Sequence, residues 1–317
     1  MPHGPTRRQV NLGLLSLAAS TQLTACANAI RSAPVTAVDC HAHVFRRDLP
    51  MPDRRRAPTG YDATVDDYIG MLDAHGMSQG VLIQPSFLGT DNSYLLAALR
   101  AHPDRLRGVA VIEPGIADDE LRTLAAAGIV GIRLNLIGLP CPDFALPAWA
   151  GLLRQLRRMQ WQVEVHQAAG KLEPVMDPLL AAGLNVVVDH FGRPDEMLGV
   201  DDPGFRYLLS TGRSRQVWVK LSGAYRNGGQ GAGEATALAA MPLLKASHGL
   251  DRLVWGSDWP HTLFERSANY TAERKLLDDW LPDARERSIV VRNTPQALFR
   301  FVKIGRASCR ERVSSPV

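Results

Sequence analysis

The sequence predicts an α/β fold, a single-domain (β/α)8 TIM barrel, on three observations. Short apolar, β-branched runs alternate with longer amphipathic stretches, the pattern of βα units around a parallel sheet. Eight such runs occur. From the first of them to the last helix the chain spans roughly 265 residues, close to the ~250 typical of such a barrel.

The predicted strands are 35–40, 79–84, 107–112, 130–135, 161–166, 185–190, 216–221 and 252–257. Strands buried on both faces read as near-continuous apolar runs, and VVVDH and VWVKL do so. Between them, 63–75, 117–127, 147–160, 171–182 and 234–248 have the amphipathic pattern of helices. AHG, AAAG and AAG each place a glycine behind an apolar stripe, which is a helix stop.

Both ends differ in composition from the domain between them. Formal charge is +4 over 317 residues, but residues 1–32 carry +3 and residues 303–317 carry another +3, which leaves −2 for the rest. The basic pI therefore belongs to the tails, and no nucleic-acid partner is expected, because that requires a basic stripe on the folded domain. Residues 1–29 read as an export signal: Arg7 and Arg8 precede an apolar stretch too short to span a bilayer. The TRRQVNL opening resembles a twin-arginine signal, and Leu23-Thr24-Ala25-Cys26 resembles a bacterial lipobox. The protein is then periplasmic or anchored through a lipid on Cys26, its only expected membrane contact; a misassigned start codon would leave it cytoplasmic, and ordinary cleavage would fall after Ala29. The barrel domain occupies 30–302. KIGRASCRERVSSPV at 303–317 resembles translated adaptor sequence and is set aside as a non-native tail. Cys40 and Cys141 do not suggest a disulfide framework.

Metal-ligand residue types fall where predicted strands end. His41 and His43 stand two apart, so on an extended strand they share a face and can meet one cation. His166 closes strand 5, His190 closes strand 6, and Asp258 follows strand 8 in VWGSDWPH. All eight strand C-termini of a barrel open onto one face, so these five converge. Asp258 can ligate a metal or act as general base to water; an Asp before a loop can also simply cap a turn. Arg133, Arg193 and Arg226 lie at or just past strand ends, and guanidinium groups gathered there imply an anionic substrate. Arg46 and Arg47 belong to a basic, proline-rich loop that can join them or be solvated. No G-x-S-x-G nucleophile elbow occurs.

DCHAHVF, GIRLN, DHFGRP, VKLSGAYR, VWGSDWPHT and RNTPQALF, in that order over about 36–302, resemble the amidohydrolase superfamily. Within it they look like the amidohydrolase-related branch that contains lactonases of pyrone dicarboxylate and sulfomuconolactone and, more distantly, aminocarboxymuconate semialdehyde decarboxylase. Binuclear members carry a carboxylated Lys at the end of strand 4, where this chain has Arg133 in VGIRLNL. The resemblance thus implies one Zn²⁺ held by His41, His43, His166 and Asp258, or catalysis without metal. It also implies that Arg193 and Arg226 grip substrate carboxylates. The expected function is hydrolysis of a small anionic lactone. Asp258 would deprotonate water, His190 would hydrogen-bond the carbonyl or the water, His261 would assist proton transfer, and the arginines would orient the substrate. The rival readings are a metal-dependent decarboxylase on the same ligand set and a noncatalytic binding lipoprotein, which has no use for a general base.

Overall fold

Eight parallel strands pair in chain order, each bonded to the next. They are β1 (Val38–Ala42), β2 (Gln79–Ile83), β3 (Leu106–Ala110), β4 (Ile129–Asn135), β5 (Gln162–His166), β6 (Val186–Val188), β7 (Val217–Leu221) and β8 (Leu253–Trp255). The computed structural model describes residues 35–301 apart from 53–55, 59 and 230. The expected export signal with Cys26, and the tail from 303 on, lie outside the described residues.

Helices fill the crossovers. They are α1 (Val65–Ala74), α2 (Ser93–Ala101), α3 (Asp118–Ala126), α4 (Pro147–Met159), α5 (Glu173–Ala181), α6 (Pro203–Thr211), α7 (Ala232–His248) and α8 (Tyr270–Trp280). Helix α1 starts where the Thr64 hydroxyl accepts from the Asp67 N–H while the Asp67 carboxylate accepts from the Thr64 N–H, so two orphan donors are satisfied at once. The expected glycine stops are present at Gly76, Gly128 and Gly183. After α8, α9 (Ala284–Ser288) and α10 (Thr294–Leu298) flank one wider turn of helix at Ile289–Asn293.

The outward faces of the strands, with Ile132, Leu134, Val163, Val165, Val219 and Leu221, pack against the helix stripes in one large core. The barrel interior is layered. Val38, Cys40, Val81, Ile83, Val187 and Val254 form an apolar floor together with Leu298, Phe299 and Phe301 from the end of the domain. Above that floor lies charge: Glu164 of β5 and Lys220 of β7 are both fully buried, and the Lys220 ammonium donates to Glu164 at 2.6 Å. Burying such groups is tolerable only because they are paired.

Two irregularities aim the site. Between the pairs Asp39–Gly80 and Ala42–Leu82, β1 has one more residue than β2, a bulge of the kind that re-aims side chains. Asp39 bonds Ser257, while His41 and His43 face the interior, with His41 Nδ1 3.1 Å from the Lys220 ammonium. The ring is completed by the segment after β8: the Asp258 N–H donates to the His41 carbonyl and the His43 N–H to the Trp259 carbonyl, both at 2.8 Å.

Candidate active site

A cavity of about 330 Å³ of empty space, mouth included, opens at the C-terminal ends of the strands. His43, Arg56, Arg133, His166, His190, Arg226 and Asp258 line it, with Ser86 and Phe87 from the β2–α2 loop. His41 lies just beneath, its Nε2 3.2 Å from His43 Nε2 and 3.7 Å from Asp258 Oδ1. The five residues expected to converge therefore do so at one end of the barrel.

Asp258 is fully buried and held by one oxygen. Its Oδ2 accepts from the Tyr225 hydroxyl at 2.6 Å and from Arg226 Nε at 2.5 Å, while Oδ1 has no hydrogen-bond partner among the described residues and faces the two imidazoles. Burial alone would raise its pKa, but Arg226, His190 and His41 outweigh burial and hold it well below the usual carboxylate range. His261 is absent from the cavity wall. It stands behind Asp258, with Nδ1 3.2 Å from the Tyr225 oxygen.

Burial favours the neutral form of the imidazoles. Burial, with Lys220 beside it, pushes His41 down to about 4, and burial pushes His261 to about 4. Burial likewise drives His43, His166 and His190 well below their ordinary value. His190 Nδ1 meets the Ser222 hydroxyl at 2.9 Å. His166 Nδ1 is 3.1 Å from Arg133 Nη2.

The arginines divide into two kinds. Arg133 sends Nε and Nη2 to Asp189 Oδ2 at 3.1 and 2.8 Å, and Arg226 is paired with Asp258. Arg193, half-buried and, against expectation, not part of the cavity wall, and Arg56, which is part of it, have no carboxylate within ion-pair distance among the described residues. Burial and the neighbouring guanidiniums depress them, Arg193 to about 10 and Arg56 to about 9. Arg226 keeps Nη1 unpartnered. Arg46 and Arg47 sit on the surface beside Asp48 and Asp62. Nothing in the run DRRRAP distinguished Arg56 from its neighbours; its place above the cavity is a matter of loop path. Glu164, Asp189 and Lys220 were also missed, although a charge set inside an apolar strand run is a signal.

Backbone conformation is unusual here. His190, Arg193, Asp258 and His261 all have left-handed φ, between 50° and 64°, a state that costs side-chain-bearing residues energy and clusters at functional sites. Gly223 is required by contact as well as by its φ of +53°: a Cβ there would lie 2.8 Å from Asp258 Oδ2 and 3.0 Å from His190 Nδ1.

Three side chains lie close enough to share a divalent cation. His43 Nδ1 is 2.8 Å from the Ile83 carbonyl, so it carries the proton and leaves the Nε2 lone pair free; His41 Nε2 and Asp258 Oδ1 lie within 4 Å of it. His41 Nδ1 faces the Lys220 ammonium at 3.1 Å and accepts from it, so Nε2 of His41 donates to His43 and gives up its proton when a cation binds. His166 joins neither of the two groups of donors that lie within 4.8 Å of one another.

An amidohydrolase family model matches residues 38–301. The chain belongs to the amidohydrolase family. Among its relatives is 4-sulfomuconolactone hydrolase of Rhizobium radiobacter, 29% identical over 86% of this chain and 94% of that protein. The 2-pyrone-4,6-dicarboxylate hydrolase of Comamonas testosteroni is 30% identical over 78% of this chain and 84% of its own. A crystal structure of a candidate 2-pyrone-4,6-dicarboxylic acid hydrolase from Acinetobacter baumannii, with citric acid bound, superposes with a TM-score of 0.81 at 38% identity, covering 84% of this amidohydrolase and 99% of that chain.

Proposed function

We propose that this amidohydrolase opens a small lactone bearing two anionic groups. The observation that carries the reading is the cavity's charge balance around Asp258. Three guanidiniums line the cavity, Arg56, Arg133 and Arg226, and Arg193 lies near them outside the wall; these four meet two carboxylates, Asp189 and Asp258, while Glu164 and Lys220 cancel each other below. Two positive charges are left over, on Arg56 and Arg193, and Arg226 adds a free nitrogen. The names of the relatives, a pyrone dicarboxylate hydrolase and a sulfomuconolactone hydrolase, agree with a doubly charged lactone.

Hydrolysis follows from the geometry. Water placed against Asp258 Oδ1 gives up its proton to that oxygen as its own oxygen bonds to the lactone carbonyl carbon; the ring C–O bond then breaks, the departing oxygen takes that proton from Asp258, and the new carboxylic acid loses its own proton to solvent. Arg226 and Tyr225 favour the ionised form of Asp258, at some loss of basicity, so proton transfer is concerted with attack. His190, fixed by Ser222, borders the space for the carbonyl. His261 acts through Tyr225 on Asp258 rather than on substrate. With loss of the His41 Nε2 proton, His41, His43 and Asp258 would hold a Zn²⁺, which when bound supplies carbonyl polarisation and a more acidic water.

Asp258→Asn tests the assignment, with circular dichroism to verify folding. General-base assistance contributes about 10²–10⁴-fold, so kcat on 2-pyrone-4,6-dicarboxylate or 4-sulfomuconolactone should fall by that order in a pH-indicator assay. Undiminished turnover by the variant, or a wild-type preference for neutral lactones, would refute the reading. Release of CO₂ would point to decarboxylation instead.

A further inference from the structure

We propose that His166 is a hydrogen-bond donor to the lactone carbonyl oxygen, with Arg133 fixing its tautomer, and not a ligand to a cation. A guanidinium has only donors. Arg133 Nη2 lies 3.1 Å from His166 Nδ1, so Nδ1 must accept. A proton on Nδ1 would set N–H against N–H at that distance, and an imidazolium would add charge repulsion to the clash. The proton is therefore on Nε2, and unlike His41, whose Nε2 also carries a proton, His166 stands outside both groups of donors close enough to share a cation.

His166 is 2% exposed and lines the cavity wall, and its Nε2 has no hydrogen-bond partner among the described residues. A buried donor left unpaired costs about 1–3 kcal/mol, so its partner is expected from outside the chain. Arg133 is itself immobilised by two bonds to Asp189. Its charge, donated into Nδ1, polarises the ring and makes Nε2–H a stronger donor. As water adds to the lactone, the carbonyl oxygen gains negative charge and this hydrogen bond tightens; no proton leaves His166. Arg133 thus acts as a positioning residue for His166, which explains why Arg133 is committed to Asp189 and His166 and not left free for substrate.

The inference rests on the lactonase reading for the identity of the acceptor, but the tautomer is measured without substrate, so the two can fail separately. In ¹⁵N-histidine-labelled protein, His166, assigned by its loss in His166→Gln, should show Nε2 in the protonated and Nδ1 in the unprotonated shift range. Removing one oxyanion donor costs about 10²–10³ in kcat. His166→Ala should therefore lose about that much kcat with KM changed only a few-fold, and His166→Gln, whose amide N–H still donates, should recover at least tenfold of it. Zn²⁺ content after equilibration with the ion should be the same in wild type and His166→Gln. An unprotonated Nε2, a drop in Zn²⁺ stoichiometry in His166→Gln, or a loss confined to KM would each overturn the proposal.

Discussion

Gly223→Ala isolates how tightly the β7 loop holds the catalytic carboxylate. An added Cβ at position 223 would stand 2.8 Å from Asp258 Oδ2, inside the contact that carbon and oxygen tolerate, so the carboxylate must retreat by roughly half an ångström. That movement breaks into the 2.5 and 2.6 Å bonds from Arg226 and Tyr225. The backbone adds its own cost, about 1–2 kcal/mol, for a side chain at φ +53°. Misplacement of a reacting group by about 1 Å costs on the order of 10²-fold in rate, so kcat should fall by at least tenfold and Tm should drop as well. Gly76→Ala is the control, because φ is +67° there, nothing lies within 4 Å of an added Cβ, and the site is remote. It should lose a similar 1–2 kcal/mol in urea unfolding and keep its kcat. The reasoning is wrong if Gly223→Ala retains full kcat, or if Gly76→Ala loses activity in proportion to stability.

Arg56→Met and Arg193→Met should each raise KM for doubly charged lactones by ten- to a hundred-fold, the worth of about 1.5–3 kcal/mol per charged hydrogen bond, with kcat little changed. Arg46→Met, on the surface beside Asp48, should do nothing in the same steady-state assay. Stability should peak near pH 6.5. His41, His248 and His261 are lowered from 6.5 to about 4, so the unfolded chain binds more protons between those values and stability is lost as pH falls through them. Glu273, buried and raised from 4.5 to about 8, works the other way: its contribution is lost as pH rises through that window. Above 6.5 its slope no longer competes with these histidines, and Tm should decline toward pH 8 by calorimetry, with a shallower decline in Glu273→Gln.

The strand set was legible because β-branched runs in a parallel barrel have no polar face to interrupt them; all eight lie within three residues of the expected ends. Misplaced boundaries cluster where chemistry intervenes. Strand β1 was expected to stop at 40, but a bulge carries it to Ala42 and places His41 within the strand. The histidines and Asp258 were readable from position alone, since strand ends share one rim. The donor state of each imidazole was not, because tautomers are set by partners distant in sequence, such as Arg133 for His166 or Ile83 for His43. Nor was the division of labour among the arginines: Asp189 claims Arg133 and Asp258 claims Arg226, which passes the uncompensated charge to Arg193 and to Arg56, a loop residue no periodicity marks.

The seam of the barrel has a consequence for how activity can be lost. The bonds that close the ring run through the main chain of His41, His43 and Asp258, the same residues whose side chains make the centre. Activity cannot outlast closure, because parting the first and last strands pulls the carboxylate away from both imidazoles. Nor does local loosening offer a graded dimmer for catalysis. The amide protons of His43 and Asp258 sit in that clasp, so their exchange with solvent should report an opening that also separates the catalytic groups.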